Sequence, residues 1–402
     1  MASSALVNVA EDAELRLVKL LAESAAPGSV RPNFVQDCEA CIGNGDAAQL
    51  IRTIVAESGA IAALVALDEE GVSAISLLAA LLDRVKDGSS RQLLNDLADA
   101  IVRASSNDNP SSTKEVSLLA TLYNMRSDPA EKVELLVKMI RLGASRQPSM
   151  LEANTSVLGK WIEPSRLTAM LDEWKVDPAG RRDLYRAAAE GVKAPLAKQQ
   201  FSLLVVGTYS KSDIDTSGLE YAKKAAIGAI RDPVSLFVQQ RKILSQPAIE
   251  ALGGSDAQLL ALLKIFQEGK LGDYYAFIKS NGGDTVLAQW DLSSEECVRY
   301  MRILSLCSLA ADHEEIPYSV VAETLQTSPD EVEKWVIAAV SSGLLNAKMD
   351  QLQEKVLVER SVVRKFEMEQ WKALQARLHL WKRNVGGILD AYKQSLEQPQ
   401  QQ

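Results

Sequence analysis

Apolar residues recur at steps of three and four positions along most of the chain, from residue 11 to about residue 312. Clear blocks of this kind occupy residues 72–85, 115–126 and 131–142. Such steps bring the apolar side chains onto one face of an α-helix. The pattern therefore predicts a succession of amphipathic helices, each about 12 to 18 residues long.

Several helix starts can be read directly from Asp-Pro pairs. Asp128-Pro129, Asp177-Pro178 and Asp232-Pro233 each place a capping carboxylate before a proline, which loses no hydrogen bond at the first helical position. Glu131 has the spacing of the second carboxylate of a capping box. The connections are mostly short, apart from a predicted loop at Ala104–Thr113, so neighbouring helices are expected to run antiparallel.

The number of helices argues for an extended arrangement. About 300 residues of helix exceed what one hydrophobic core holds, which favours a stack of helical pairs over a single bundle. No residue signature repeats at a constant period, so the sequence does not indicate a motif-defined repeat family.

After residue 293 the pattern becomes mixed. Ser293–Glu296 reads as a capping box that opens a helix, Ile316–Tyr318 is short and extended, and 319–326 is another helical piece. Ser328–Glu331 combines an N-cap serine, a first-turn proline and a third-position glutamate, which predicts a further helix ending at Gly343. This helix is expected to bury Val332, Val336, Ile337 and Val340.

A hairpin is predicted directly after this helix. The alternating residues are Leu345, Ala347 and Met349 in one run, then Val356 and Val358 in the next. Such alternation is typical of strands with one buried face, and Asp350–Glu354 forms the loop between them. A helix, a short strand, two helices and a hairpin, in this order, predict a winged-helix module.

The last helix has a narrower apolar stripe than the others. Steps of three and four residues alternate over about three heptads, which is typical of a coiled-coil seam that contacts a partner helix. In the alternative, Trp371 and Trp381 cover the helix's own domain. Gly386-Gly387 weakens this helix by about 2 kcal/mol relative to two alanines.

Composition and charge exclude several classes of protein. The 402 residues are 47% hydrophobic and 24% charged, as in ordinary globular proteins, and the net charge of −9 argues against a large basic surface for nucleic acid. Four cysteines are too few for the disulfide framework of a small secreted domain. The first residues carry acids where a signal peptide needs positive charge, and no apolar run reaches the ~20 residues of a membrane span. We expect a soluble, cytoplasmic protein without membrane contact.

The sequence offers little catalytic chemistry. His313 and His379 are the only histidines, and neither has a companion ligand at a useful spacing. Cys38 and Cys41 have the spacing of half a zinc site, but without a second pair we interpret them as small apolar residues of a helix. Gly43–Ala48 matches the dinucleotide string G-x-G-x-x-G/A, yet no strand precedes it, so we predict a helix–turn–helix link. We therefore expect no catalytic residue, metal site or cofactor, and no enzyme.

Nucleic-acid binding is the function most often associated with winged helices. Here the candidate recognition helix begins with Pro329–Lys334, which holds three acids and one lysine, so sequence-specific DNA binding is not expected. Residues 355–383 are modestly basic. We interpret them as the solvated flank of a bundle helix, with incidental RNA contact as the alternative.

The order of these features, together with particular residues, resembles the PCI family, whose members are subunits of the proteasome lid, the COP-nine signalosome and eukaryotic initiation factor 3. The residues are Ile316-Pro317, Leu325, Glu331–Glu333, Val336-Ile337, Gly343–Leu345, Lys348–Gln351, Val356 and Val358. This resemblance covers about residues 200 to 365, with a methionine at 349 where most relatives have isoleucine. The initiation-factor branch is the more similar one, and a signalosome or proteasome-lid subunit is the alternative. The stretches similar to that branch are Arg231–Pro233, Leu262–Tyr275, Lys348–Val358 and Gln370–Lys382.

The resemblance implies a mainly α fold, with a right-handed stack of helical pairs (an α-solenoid), a winged-helix module with a small β-hairpin and a long C-terminal helix. The expected regions are a helical repeat region at 1–200, the helical and winged-helix parts of the PCI domain at 201–292 and 293–365, and a bundle helix with its tail at 366–402. The implied function is a non-catalytic scaffold subunit that supports assembly on the small ribosomal subunit and mRNA recruitment. Other PCI and MPN subunits would be its partners.

The resemblance also implies two partner-binding sites. The bundle helix would contribute the seam Trp371, Leu374, Leu378, Trp381, Val385, Ile388 and Tyr392. The winged-helix module would contribute Lys355, Val356, Leu357, Val358, Glu359 and Arg360. We interpret this second set as an edge strand, whose free N–H and C=O groups extend the sheet of a neighbouring subunit.

Overall fold

The computed structural model describes residues 13–85, 88–104, 114–146, 148–152, 157–238, 243–364 and 368–397. The chain divides into two compact units, Met1–Ala225 and Ala226–Gln402. The predicted loop at Ala104–Thr113 lies outside the described residues from position 105 onward. The predicted limits at residues 200, 292 and 365 stay a prediction.

Helices α1 to α8 of the first unit share one hydrophobic core, to which each contributes a buried face and α4 most of its surface. Leu21, Phe34, Leu64, Leu78 and Leu97 are fully buried in it. Helices this short are marginal alone, so packing of these faces is what stabilises them. The helices of this unit are α1 (Ala13–Ser24), α2 (Phe34–Gly43), α3 (Ala47–Ala56), α4 (Ser58–Ala66), α5 (Glu69–Arg84), α6 (Ser90–Ala104), α7 (Lys114–Met125), α8 (Pro129–Arg146), α9 (Val157–Trp161), α10 (Pro164–Glu173), α11 (Pro178–Gly191) and α12 (Pro195–Gly207).

The Asp-Pro pairs begin helices at the predicted positions, since α8 starts at Pro129 and α11 at Pro178. Oδ1 of Asp128 accepts the N–H of Ala130 at 3.2 Å, but the predicted cap at Asp177 is wrong, since its side chain forms no cap hydrogen bond. The predicted capping box at Glu131 is wrong. Glu131 is buried, and its Oε2 accepts a hydrogen bond from Nε of Arg126 at 2.7 Å. A buried carboxylate needs a charged partner more than a backbone N–H needs a second cap, so the ion pair forms instead.

The Gly43–Ala48 string is the predicted helix–turn–helix link. It connects α2 to α3, with Gly45 at φ +68° and Oδ1 of Asp46 accepting the N–H of Gln49 at 2.9 Å. Cys38 points into the core from α2, and burial raises the pKa of its thiol to about 12. A thiol in this environment packs as a small apolar residue.

No single helix within the described ranges has the length and apolarity needed to cross a membrane. The pair α3 and α4 passes that test only when taken together, across a bend of 86°. Both helices contribute buried residues to the core of the first unit, including Leu50, Ile54, Ile61 and Leu64. Their apolarity is accounted for by that core.

The second unit starts with helices and ends with a small sheet and one long helix. Helix α13 (Thr216–Arg231) crosses the division between the units. It is followed by α14 (Pro233–Val238), α15 (Pro247–Glu250), α16 (Leu252–Ser255), α17 (Ala257–Glu268), α18 (Leu271–Ser280), α19 (Thr285–Ala288) and α20 (Ser294–Asp312). The remaining elements are β1 (Glu315–Pro317), α21 (Tyr318–Leu325), α22 (Val332–Ser341), β2 (Leu345–Asp350), β3 (Lys355–Ser361) and α23 (Met368–Glu397). The predicted fold class is confirmed: a mainly α, solenoid-like arrangement followed by a three-stranded sheet and a C-terminal helix.

Candidate partner-binding surfaces

The small sheet corrects one of the predicted sites. Its strand order is β1-β3-β2, so β3 is the central strand and not an edge. β3 pairs antiparallel with β2 along its length, and its residues Lys355, Val356 and Leu357 pair with β1. The interpretation of Lys355–Arg360 as an edge strand is therefore wrong. Alternating residues indicate a strand but not its neighbours, and a three-residue strand such as β1 carries almost no pattern of its own.

The true margins of the sheet lie beside the predicted site. β2 is the outer strand on one side. On the other side, no strand in the described chain pairs with β3 beyond Val358, whose N–H donates to the carbonyl of Glu314 at 2.8 Å. Lys348 of β2 is exposed and forms an ion pair with Glu359 at 2.6 Å. A charged lysine on an outer strand limits indiscriminate pairing, so this margin is suited to a selected partner strand.

Helix α22 buries a different face from the one predicted. Val332 and Val336 are buried as expected, but Ile337 is 53% exposed and Val340 is also exposed. Trp335 and Ala339 take their places in the core. The buried set has the spacing i, i+3, i+4, i+7, whereas Ile337 lies well outside that stripe. Apolar character alone was therefore a misleading guide to burial in this helix.

The acids near the start of α22 are engaged inside the module. The predicted Ser328 cap is not formed, because a 3₁₀ turn at Pro329–Glu331 precedes the helix and the Thr327 hydroxyl donates to Glu331 instead. Glu333 accepts hydrogen bonds from the Tyr318 hydroxyl at 3.3 Å and from Nε2 of Gln351 at 3.1 Å. These contacts connect α21, α22 and the hairpin turn. Carboxylates held at this end of α22 oppose the approach of a nucleic-acid backbone.

Arg364 anchors the segment that leads from the sheet to α23. Its Nη2 donates to the carbonyls of Ile265 and Phe266 at 3.2 and 2.7 Å, and its Nη1 donates to the Ser308 hydroxyl at 3.1 Å. The two carbonyls belong to the last turn of α17, where a cation also interacts favourably with the helix dipole. Burial lowers the pKa of the Arg364 guanidinium to about 10. In the sequence, Arg364 is only one of several basic residues between positions 355 and 383, because nothing local distinguishes an anchoring arginine.

Helix α23 presents its apolar residues to solvent. It spans 30 residues, or about 45 Å at 1.5 Å per residue. Its residues of described burial are exposed, apart from the half-buried Gly386. Trp381 and Ile388 of the seam are 67% and 70% exposed. The whole seam is exposed: Trp371, Leu374, Leu378, Trp381, Val385, Ile388 and Tyr392. The alternative in which Trp381 covers the helix's own domain does not agree with this exposure. A long exposed apolar stripe usually marks a protein-binding surface.

The residues considered for catalysis and metal binding do not form a common site with the seam of α23. Cys38 and Cys41 lie on α2, His313 caps the end of α20, and His379 is exposed on α23. Among the described residues, no group of three or more His, Cys, Asp and Glu side chains could hold a metal ion.

Comparison with known families identifies the class of protein that this arrangement defines. A family model described as "PCI domain" matches residues 278–360, which contain α20, the sheet, α21 and α22. This segment of the chain is therefore similar to the PCI-domain family. A second family model, described as "eIF3 subunit M, C-terminal helix", matches residues 364–391 and therefore most of α23 and its seam.

Curated relatives extend the similarity over much of the chain, and they are named eukaryotic translation initiation factor 3 subunit M. The protein from Dictyostelium discoideum is 27% identical over 68% of this chain and 67% of its own length. The one from Phaeosphaeria nodorum is 29% identical over 68% of this chain and 61% of its own length. The one from Aspergillus oryzae is 28% identical over 82% of this chain and 71% of its own length. The chain thus spans about two thirds of the length of these relatives.

Proposed function

We propose that this chain is a non-catalytic scaffold subunit of a eukaryotic translation initiation factor 3 complex. In this role it binds other PCI and MPN subunits, and it supports assembly on the small ribosomal subunit and mRNA recruitment through them. The observation that carries the proposal is the exposed seam of α23, of which all residues but Tyr392 lie in the segment similar to the C-terminal helix of subunit M. The names of the curated relatives support the complex and a cytoplasmic location.

The seam is proposed to bind helices of partner subunits. Its seven residues alternate in steps of three and four, so they form the continuous row that knobs-into-holes packing requires. Burial of such a row releases about 25 cal/mol for each Å² of apolar surface removed from water. The association must also offset the free-energy cost of ordering α23 near Gly386-Gly387, where a partner helix would stabilise the helical conformation.

The sheet is proposed as a second contact, at its margins and not along all of Lys355–Arg360. β2 offers its outer side to a strand of a neighbouring subunit. Within the predicted set, Glu359 and Arg360 lie beyond the last pairing with β1. Strand addition at an outer strand supplies main-chain hydrogen bonds, and the side chains beside it select the partner.

The test is co-purification from cell extract with tagged full-length chains. Leu378→Asp combined with Trp381→Asp places charges in the seam and is expected to release the partner subunits. Leu380→Asp is the control, because Leu380 is a leucine of α23 with similar exposure (49%, against 55% for Leu378) that lies outside the seam. Unchanged partners in the seam variant would show that the seam does not bind them.

The identity of the partners tests the assignment to a complex. Mass spectrometry of the unaltered sample is expected to find initiation-factor subunits. Recovery of signalosome or proteasome-lid subunits instead would favour the alternative that the PCI resemblance leaves open. Capture of free RNA, with steep salt dependence and without these subunits, would favour a nucleic-acid-binding protein.

A further inference from the structure

The charges beside the seam of α23 are of one sign. With Trp371 at heptad position a, the flanking e positions hold Gln375, Lys382 and Leu389, and the flanking g positions hold Arg377, Asn384 and Ala391. These flanks contain two cations and no carboxylate. The chain as a whole carries a net charge of −9, so this basic seam border is a local feature of α23.

Both cations border the seam closely. On a helix with about 100° per residue, Arg377 and Lys382 each lie about 70° from the seam's centre, on opposite sides. Lys372 and Arg383 lie about 150° or more from it, on the far face. All four side chains are exposed. A helix docked on the seam would therefore face Arg377 and Lys382 but not Lys372 and Arg383.

These flanks disfavour pairing between two copies of the chain. In a parallel pair, Arg377 at position g of one copy faces Lys382 at position e of the other, which sets two cations together. In an antiparallel pair, e faces e and g faces g, and neither row holds a carboxylate. No ion pair can form in either direction. The exposed seam thus fits a different helix better than a second copy.

We infer that the seam of α23 selects a partner helix with aspartate or glutamate beside its own apolar row. Complementary charges at e and g positions set partner choice and orientation in coiled coils. The two cations of α23 would then sit opposite carboxylates on both sides of the apolar contact. This inference rests on the proposed function, since it describes the partner of the same surface.

The direct test uses the full chain and two designed helical peptides as probes. Both peptides carry the same leucine seam over about four heptads; one has glutamate and the other has lysine at every e and g position. Fluorescence anisotropy measures the two Kd values. The glutamate-flanked probe is expected to bind about tenfold more tightly, with a difference that shrinks as salt is added. Equal affinities for the two probes would overturn the inference.

Charge-reversal variants assign the selectivity to particular residues. Arg377→Glu with Lys382→Glu is expected to reverse the preference and favour the lysine-flanked probe. Lys372→Glu with Arg383→Glu makes the same change in net charge on the far face and is expected to keep the original preference. Equal loss of selectivity in both double variants would contradict recognition by the flanks. Circular dichroism checks that α23 stays helical in each.

A neutral double variant separates charge pairing from packing. Arg377→Gln with Lys382→Gln keeps much of the side-chain length, and it is expected to lose the preference between probes without reversing it. An unaltered preference in this variant would show that the charges do not select. Sedimentation of the chain without probe supplies a further criterion, because dimers that exclude both probes would identify a second copy as the occupant.

Failure of this inference can be told apart from failure of the proposed function. In the co-purification test, partners lost by Leu378→Asp with Trp381→Asp but fully kept by Arg377→Glu with Lys382→Glu would overturn the charge selection alone. Partners kept by both variants would overturn the seam as a docking surface, and the inference with it. Partners lost or weakened in both, but kept by Lys372→Glu with Arg383→Glu, are the expected result.

Discussion

Helices α5 and α23 both carry apolar residues at steps of three and four, but only those of α5 are buried within the chain. Ile75, Leu78 and Leu82 of α5 are fully buried in the core of the first unit. Leu378, a leucine in the apolar seam of α23, is 55% exposed. The comparison shows that periodicity determines the position and width of the apolar face of a helix. The rest of the chain determines whether that face is buried or stays exposed for another protein to bind.

The largest expected effect comes from two neighbouring residues of α22, a helix that has both kinds of face. Val336→Asp would bury an unpaired carboxylate and is expected to cost more than about 4 kcal/mol, enough to unfold the winged-helix module. Ile337→Asp places the same charge in solvent and is expected to change stability by about 0.5 kcal/mol or less. Chemical unfolding of both variants, followed by circular dichroism, measures the difference. Equal losses would mean that Ile337 belongs to the core after all.

A leucine pair tests the comparison of α5 with α23 directly. Leu78→Ala leaves a cavity in a closely packed core and is expected to reduce the free energy of unfolding by about 2 to 5 kcal/mol. Leu378→Ala removes the same atoms from an exposed seam and is expected to change it by about 0.5 kcal/mol or less. Urea unfolding of the isolated chains supplies both values. A loss of several kcal/mol for Leu378→Ala would show that α23 packs within its own chain.

Most of the fold was predictable because its signals are local. Three features each depend on residues close in sequence: the Asp-Pro helix starts, the Gly43–Ala48 link and the hairpin around Asp350–Glu354. Their outcomes follow from proline at the first helical position, from turn geometry and from periodicity, which need no distant partner.

What could not be predicted depends on contacts between distant residues. Glu315–Pro317 is too short to show that it pairs with β3, so the edge was assigned to the wrong strand. The burial of Trp335 in place of Ile337 also depends on the elements that pack against α22. Arg364 shows the same limit, since its acceptors Ile265 and Phe266 lie almost a hundred residues earlier. Periodicity contains no information about such partners.

Arg364 offers a way to separate the anchor of α23 from its exposed length. Arg364→Met removes a buried donor from several acceptors and is expected to cost about 2 to 3 kcal/mol in the second unit. Arg364→Lys keeps a charge but lacks the planar fork, so it should recover only part of that loss. Arg360→Met, at an exposed arginine of β3, is the control. Amide hydrogen exchange in the last turn of α17 should be faster in Arg364→Met than in the unaltered chain, and unchanged in Arg360→Met. Exchange at the same rate in both variants would argue against the anchor.

The smallest effect concerns Glu134, a partly exposed residue of α8 in the first unit. Burial alone would raise the pKa of its carboxyl, but hydrogen bonds from Arg91 and Asn95 hold that pKa below its ordinary value of 4.5. Nε of Arg91 donates to Oε1 of Glu134 at 3.0 Å. A carboxyl with a lowered folded-state pKa stabilises the protein above its unfolded-state pKa and loses this contribution as the pH falls through the folded-state value.

Glu134→Gln is therefore expected to cost about 1 kcal/mol at neutral pH and progressively less as the pH falls below about 4.5. Glu39→Gln, at an exposed position of α2, makes the same change in charge and is the control. Urea unfolding of the unaltered chain and both variants across this pH range measures the difference. A cost for Glu134→Gln that does not change with pH would mean that packing, not the charge-assisted hydrogen bonds, accounts for it. In that case Glu134 would stabilise the first unit by packing, as the buried residues of α5 do. The cations beside the α23 seam, by contrast, are proposed to act through their charge.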